Sequence, residues 1–103
     1  MILATVNVIP GKEYEILGIV QGSTVQSKNI GRDIGASFKN IFGGEIKGYS
    51  EMLEEARDIS KIRMIKQAEN LGADAIIGIG FSSSTIMQGA AEILVYGTAI
   101  KFI

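Results

Sequence analysis

The chain contains no cysteine and no histidine among its 103 residues. The absence of cysteine excludes disulfides, thiolate nucleophiles and cysteine-ligated metal sites. The absence of histidine removes the most common transition-metal ligand and the most common general base near neutral pH. A zinc site would have to be built from carboxylates, which suit magnesium or calcium better. We therefore expect no catalytic residues, and the sequence identifies neither a metal nor a cofactor.

An excess of charge of either sign is also missing. The 10 basic and 11 acidic residues are interleaved and give a net charge of −1, whereas nucleic-acid-binding proteins carry basic patches. No apolar run reaches transmembrane length, and the segment Met1-Ile2-Leu3-Ala4 lacks the positive charges of a signal peptide. We expect a cytoplasmic protein that partners neither nucleic acid nor a membrane.

The length of the chain and its lack of linkers predict a single domain, residues 1–103. Apolar and β-branched residues predict strands over Ile2–Ile9 and Tyr14–Val25. Gly18 and Gly22 lie four residues apart on one face of the second strand. This spacing indicates that a helix or another backbone passes close to the strand there.

Two helices are predicted in the middle of the chain. A short helix covers residues 34–42, with Asp33 as its N-cap. A long helix runs from about Glu51 to Leu71, begins after a capping Ser50 and ends at Gly72 in a left-handed conformation.

Apolar residues recur along the long helix at every third position rather than at the helical period of 3.6. These residues are Leu53, Ala56, Ile59, Ile62, Ile65, Ala68 and Leu71. The apolar stripe must therefore move around the helix. Two interpretations stay open: the helix curves over its own sheet, or its C-terminal half contacts a second surface such as another subunit.

Two further strands are predicted in the C-terminal part of the chain. Ala75–Phe81 is almost continuously apolar, as strands covered on both faces are. Ser82 to Thr85 and the Gln88-Gly89 pair indicate a frayed strand end and a turn. Ile93–Ile103 forms the last strand, and neither of its faces is polar.

Charge is distributed unevenly along the chain. Nine charged residues lie between Glu51 and Glu69, but only Glu92 and Lys101 lie between Ala75 and Ile103. One principal helix covers one face of a small sheet, and the other face would expose more apolar surface than monomers tolerate. We predict that copies of the chain join through this face. The alternative is a monomeric sandwich in which the helix over residues 34–42 covers it.

Two segments are distinctive: Leu71-Gly72-Ala73-Asp74-Ala75 and Tyr96-Gly97-Thr98-Ala99. Further residues of the same pattern are spread in order over essentially the whole chain. They are Gly18, Gly22, Gly31-Arg32-Asp33, Lys39-Asn40, Gly43-Gly44, Tyr49, Glu55-Ala56-Arg57, Met64, Ala68, Gly78 and Glu92. The series resembles the YbjQ-like family, which comprises small bacterial and archaeal proteins described as heavy-metal-binding.

The resemblance implies an α+β, dodecin-subunit-like β-α-β-β fold, here with one long and one short helix, assembled into a ring-shaped homopentamer. A chain without cysteine or histidine is poorly suited to a soft metal, so we do not carry the heavy-metal activity over. We expect an oligomeric binding protein for a metal ion or small ligand at subunit boundaries. The alternative is a scaffold ring without catalytic activity.

Four residues are candidate ligand-binding residues. Arg32, Asp33 and Asn40 lie in the predicted loop and short helix, where they could hold an anionic or polar ligand beside the helix start. The structural alternative is that Asp33 caps the helix while Arg32 pairs with a carboxylate. Glu92 could be an oxygen ligand repeated around a ring, or could pair with a lysine at a strand end.

Four other residues are candidate interface residues. Met64 and Ile65 lie on the long helix, and Tyr96 and Thr98 share one face of the last strand. Core packing is the alternative for the two strand residues. Arg57 on the helix is expected to pair with Glu54 or with a carboxylate elsewhere.

Overall fold

The computed structural model describes residues 1–27 and 44–103, and the side chains of residues 1–27 and 48–103. Within these residues the elements are β1 (Ile2–Leu3), β2 (Tyr14–Ser27), α1 (Gly44–Asn70), β3 (Ala75–Met87) and β4 (Ala90–Phe102). The strands form one mixed sheet in the order β1-β3-β4-β2; β1 runs parallel to β3, and the other neighbours are antiparallel. The α+β class is confirmed. The helix predicted over residues 34–42 lies outside the described residues.

The first strand is shorter than predicted and ends at Leu3. Beyond Leu3 the chain still forms hydrogen bonds to β3, but the register of β3 is irregular there, so the regular ladder does not continue. The Gly78 amide donates to the carbonyl oxygen of Val6 at 2.9 Å, and the Ile79 amide to that of Ala4 at 3.1 Å. The residues predicted to extend the strand are therefore bonded to the sheet without forming a strand themselves.

The start of α1 also differs from the prediction. The helix begins at Gly44, so Ser50 lies inside it. A serine marks a helix start only where the preceding chain is not helical, and Glu45, Ile46 and Lys47 are residues that helices accept.

The predicted end of α1 is confirmed. Gly72 has a φ of +79°, a left-handed conformation that glycine adopts at no steric cost. The Ala73 amide donates to the carbonyl oxygen of Ala68 at 3.1 Å, and the Gly72 amide to that of Glu69 at 3.0 Å. These two bonds form a Schellman motif, which satisfies carbonyl groups that the helix end leaves free.

A bulge in β2 overturns the predicted alternation of its side chains. Ile16 pairs with Ile100 but Gly18 pairs with Ala99, so Leu17 is an extra residue. As a result, Ile16 and Gly18 lie on opposite faces of the sheet, although the sequence places them on one face. An inserted residue reverses every subsequent side chain.

The hairpin between β3 and β4 is longer than predicted. β3 continues through Ser82–Thr85 to Met87, so this segment is strand and not a frayed end. Met87 pairs with Ala90 across the two-residue connection Gln88-Gly89, in which Gly89 has a φ of +78°. The turn therefore lies where the glycine predicted it, and the serines before it are ladder residues.

The main core lies between α1 and the β2–β4 part of the sheet. Its buried residues are Val20, Met64, Ala68, Ile76, Val95 and Ala99. A smaller cluster lies on the opposite side of the sheet near the chain termini. There Ala75, Ile77 and Ile100 are packed against Ile9, Tyr14 and Phe102. Because Ile76 contributes to one cluster and its two neighbours to the other, the start of β3 is covered on both faces, as predicted.

The buried positions of α1 recur at every fourth residue, not at every third. They are Met52, Ala56, Ser60, Met64 and Ala68. Four residues turn a helix by about 400°, so this stripe still moves around the helix, but along a different set of residues. Ile62, a member of the three-residue series, is 65% exposed.

The described part of the chain contains no helix that is both long and apolar enough to cross a membrane.

Candidate functional site

The side of the sheet that faces away from α1 is the open face. Along the strands it begins where the smaller cluster ends, and it combines residues from three neighbouring strands. It comprises Ile19, Gln21, Ser23 and Val25 of β2, Thr98, Tyr96, Leu94 and Glu92 of β4, and Gly80, Ser82 and Ser84 of β3. No described residue outside the sheet packs against it as part of either core cluster, and Ile19 is 80% exposed.

Tyr96 occupies the middle of the open face. Its cross-strand partners are Gln21 on β2 and Gly80 on β3. A Cβ atom at Gly80 would lie 2.5 Å from the Tyr96 hydroxyl oxygen and 2.6 Å from Cζ. The aromatic ring therefore lies across the glycine, which provides room for it, and 42% of the residue stays exposed. The open face thus presents a partly exposed aromatic ring between Gln21 of β2 and Gly80 of β3.

Glu92 is the only carboxylate in β4 and lies further along the same face. Its cross-strand partners are Val25 on β2 and Ser84 on β3. The residue is half-buried, so part of its hydration is replaced by neighbouring strand atoms. It can offer carboxylate oxygens to a cation or to a hydrogen-bond donor.

The distal part of β3 is the β3 arm, residues 81–87. All seven residues are exposed, including Phe81, Ile86 and Met87. The outer edge of β3, which faces away from β4, is paired to β1 only at Ala75 and Ile76. From Gly80 onwards no described residue pairs with this edge. The β3 arm therefore exposes both faces and one row of backbone N–H and C=O groups.

The outer edge of β2 is arranged differently. The Gln21 amide donates to Gln67 Oε1 at 2.8 Å, and Arg63 Nη1 donates to the carbonyl oxygen of Ser23 at 2.6 Å. Both side chains belong to α1, so the helix satisfies backbone groups that face away from β4.

Gly22 brings α1 close enough for these two bonds. A Cβ atom at Gly22 would overlap the Ser60 carbonyl oxygen and lie 2.5 Å from the Met64 amide nitrogen. The close approach predicted for this glycine is confirmed. The same prediction for Gly18 is wrong, since nothing lies within 4 Å of its Cβ position; its φ of +144° instead accompanies the bulge.

The sequence-predicted interface residues differ in exposure. Tyr96 and Thr98 lie on the open face, and Ile65 is half-buried beside the main core. Met64 is fully buried within the chain's own core, because the buried stripe of α1 follows every fourth residue. It has no surface to offer and is not retained as an interface candidate.

The predicted ligand-binding residues are only partly described. Arg32, Asp33 and Asn40 lie outside the described residues, so their role in ligand binding stays a prediction. Among the described residues no ion pair joins Arg57 to Glu54, whereas Lys61 and Asp58 of α1 do pair at 3.5 Å.

The edge contacts of Arg63 and Gln67 and the exposed β3 arm are missing from the sequence predictions. The uncharged stretch from Ala75 to Met87 was a signal for the arm, because natural edge strands usually carry protective charges. No local signal distinguishes Arg63 or Gln67 from other polar residues of a solvated helix face.

A heavy-metal site fits the residues present poorly. Soft metals favour thiolate and imidazole ligands, and the chain has neither. Among the described residues of one copy, no group of three or more aspartates and glutamates could hold a metal ion. Any oxygen-ligated site would therefore need residues from beyond this set or from several copies.

The YbjQ family model, whose description reads "Putative heavy-metal-binding", matches residues 1–103. The chain belongs to the YbjQ family. A UPF0145 protein of Thermotoga maritima is 63% identical over 102 residues, which cover 98% of this chain and 96% of the relative. A UPF0145 protein of Clostridium novyi is 53% identical over 103 residues and is covered completely. The family resemblance inferred from the sequence is confirmed.

A solved structure supports the fold of this YbjQ-family chain. The crystal structure of a protein of unknown function from Pediococcus pentosaceus, which belongs to the DUF74 family, matches with a TM-score of 0.66 at 20% identity. The match covers 100% of this chain and 98% of that one. At this identity the likeness concerns the fold alone.

Proposed function

We propose that this YbjQ-family protein is a non-catalytic, homo-oligomeric binding module that holds an ion or small polar ligand at boundaries between copies. The observation that carries this is the β3 arm, which leaves apolar side chains and a strand edge exposed on a strand that has no charged residue to protect them. Such surfaces mark protein–protein contact sites.

The shape of the chain supports self-assembly. Its radius of gyration is 17.4 Å, and its extents are 58 × 23 × 17 Å. A compact chain of this length would have a radius of gyration of about 13 Å. The elongated shape places the β3 arm away from the main core, where another copy can cover it.

The proposed interface combines the β3 arm, the open face and the second half of α1, where Ile62 is exposed. These are different surfaces of one chain, so contacts between them are heterologous and close into a ring when the rotation fits. The resemblance to the YbjQ-like family implies that the assembly contains five copies of the chain. We propose a homopentamer on that ground.

Light scattering and native mass spectrometry test the assembly. We expect a mass five times that of the 11.0 kDa chain. Phe81→Lys places a charge on the β3 arm and should release monomers, whereas Ser50→Lys adds the same charge on an exposed position of α1 and should leave the mass unchanged. A wild-type protein that stays at 11.0 kDa would refute self-assembly.

For the ligand we propose a cation that prefers oxygen, bound with the help of Glu92. Symmetry presents this half-buried carboxylate once per copy, so a ring gathers several carboxylates that no single chain assembles. Oxygen ligands suit Ca²⁺ and Mg²⁺ and not the soft metals of the family description.

Native mass spectrometry with added Ca²⁺, Mg²⁺ or Cd²⁺ tests this choice. We expect Ca²⁺ or Mg²⁺ on the ring, and at least tenfold weaker binding by Glu92→Gln, which keeps the shape and removes the charge. Glu55→Gln on the exposed side of α1 is the control. Rings that stay free of every added ion would refute the ligand proposal and favour the scaffold alternative.

We infer binding rather than catalysis because the chain lacks cysteine as a nucleophile and lacks histidine, the most common general base near neutral pH. The cytoplasmic location stays a prediction that cell fractionation can test.

A further inference from the structure

We propose that Arg63 and Gln67 of α1 are edge caps: they close the centre of the β2 edge to strand addition, so that the β3 arm of another copy cannot extend the sheet there. The inference presupposes the self-assembly proposed above. Its basis is the pair of hydrogen bonds from α1 to β2, 2.6 Å for Arg63 Nη1 to the Ser23 carbonyl and 2.8 Å for the Gln21 amide to Gln67 Oε1.

The two capped groups are those that an incoming strand would need. In an antiparallel pair, alternate residues direct both their N–H and C=O groups to the same neighbour. Gln21 and Ser23 are two residues apart and face away from β4, as their bonds to α1 show. A strand that added here would have to displace both side chains before it could form a continuous ladder.

The β2 strand has little other protection. Glu15 is its only charged residue, and it lies near one end, while Ile16, Ile19, Val20, Thr24 and Val25 favour extended structure. Natural edge strands are usually guarded by lysine, proline or inward-pointing charges. In this chain the guard comes from the helix instead of from the strand.

The caps depend on the close packing at Gly22. The α1 backbone passes over this residue, and a Cβ atom there would lie 2.9 Å from Arg63 Cβ. The helix is therefore close enough to the sheet margin for two exposed side chains, four residues apart, to reach over it. Their exposure indicates that the hydrogen bonds to β2, and not burial, fix their positions.

The strand that the caps exclude is the β3 arm of a second copy. The arm is uncharged, exposed on its outer edge and rich in residues that pair in sheets. With no charge on the arm and none on β2 beyond Glu15, electrostatic repulsion does not keep the two edges apart. If β2 accepted the arm along its full edge, each copy would recruit the next, and heterologous contacts that do not close form filaments.

The test compares two double variants on the same helix. Arg63→Met with Gln67→Met keeps the aliphatic stems and removes both caps. Ser50→Met with Arg57→Met makes the same change in charge at two exposed positions in the first half of α1, outside the proposed interface. We expect light scattering to show species larger than the wild-type assembly, growing with concentration, for the first variant only. Circular dichroism checks that both variants fold, and Gln67→Met alone serves if the double variant does not.

Hydrogen exchange gives a second readout that assembly alone does not determine. Losing one hydrogen bond of ordinary strength should accelerate exchange of the Gln21 amide about fivefold or more, with no change in the control. Gln67→Glu retains an acceptor oxygen and should behave like the wild type. An uncapped variant with the wild-type mass would overturn the edge-cap proposal, whereas a monomeric wild type would overturn the self-assembly on which it builds.

Discussion

The two neighbours of β4 show how one sheet can be complete on one side and incomplete on the other. On the β2 side, α1 covers the sheet, its backbone lies directly over Gly22, and its side chains bond the outer edge. On the β3 side, residues 81–87 are exposed on both faces and along their edge. The difference teaches that α1 stabilises one half of the sheet and leaves the other half available to further copies.

The largest difference should appear when a side chain is forced into the helix contact. Gly22→Val places atoms where the Ser60 carbonyl and the Met64 amide lie, and backbone atoms cannot move aside as side chains do. We expect a loss of about 4 kcal/mol or more in the free energy of unfolding, above the usual range for overpacking. Ser23→Val adds the same side chain on the open face and should change it by less than about 0.5 kcal/mol. Urea unfolding at equal chain concentration measures both.

The core side of α1 should be more sensitive than its outer side. Met64 is fully buried and Ile62 is 65% exposed. Met64→Ala should lower the free energy of unfolding by about 3 kcal/mol through lost burial and a residual cavity. Ile62→Ala should change it by about 0.5 kcal/mol or less, apart from any effect on assembly. Equal losses at the two positions would contradict the four-residue stripe.

A buried hydroxyl should matter more than an exposed one. Ser60 is fully buried and donates to the Ile93 carbonyl at 3.1 Å, joining α1 to β4. Ser60→Ala removes this bond and should lower the free energy of unfolding by about 1 kcal/mol. Ser83→Ala on the β3 arm should have no measurable effect in the same thermal or urea unfolding experiment, apart from any effect on assembly. If the free energy of unfolding of Ser60→Ala equalled that of the wild type, the hydroxyl would not stabilise the packing of the helix on the sheet.

The smallest effect is expected at Gly80, another glycine whose Cβ position is crowded. At Gly80 the obstructing atoms are the far end of the Tyr96 side chain, which is partly exposed and free to move outward. Alanine also suits a strand better than glycine, by roughly 0.5–1 kcal/mol. Gly80→Ala should therefore stay within about 0.5 kcal/mol of the wild type in urea unfolding. A loss above about 2 kcal/mol would mean that the open face is as tightly packed as the helix side.

Local patterns predicted the long elements because their signals are local. From the sequence alone, Gly72 predicted the end of α1, Gly89 predicted the hairpin, and Gly22 predicted the close contact with the helix. The misses have a common cause. The bulge at Leu17, the bonded but irregular residues after Leu3 and the buried stripe of α1 all depend on which partner strand or helix lies opposite, and no short window of sequence contains that partner.

The candidate site shows the same division. Tyr96 and Thr98 were placed on one face from the sequence because a strand alternates, and Glu92 was chosen as a lone carboxylate beside an apolar strand. The open face contains all three residues. Met64 is buried in the chain's own core because the side of α1 that faces the sheet follows every fourth residue, which depends on how the helix lies against the sheet. Arg32, Asp33 and Asn40 stay predictions.

By itself, the sequence determined the family, the α+β class, the absence of cysteine and histidine chemistry and the scarcity of charge on the C-terminal strands. These properties follow from composition, period and turn residues, which need no knowledge of distant contacts. Only the tertiary structure decided which surfaces are complete. Whether an edge is capped or exposed depends on the approach of α1 to Gly22 and on the reach of Arg63 and Gln67, residues that lie some 40 positions away along the chain from the strand that they protect.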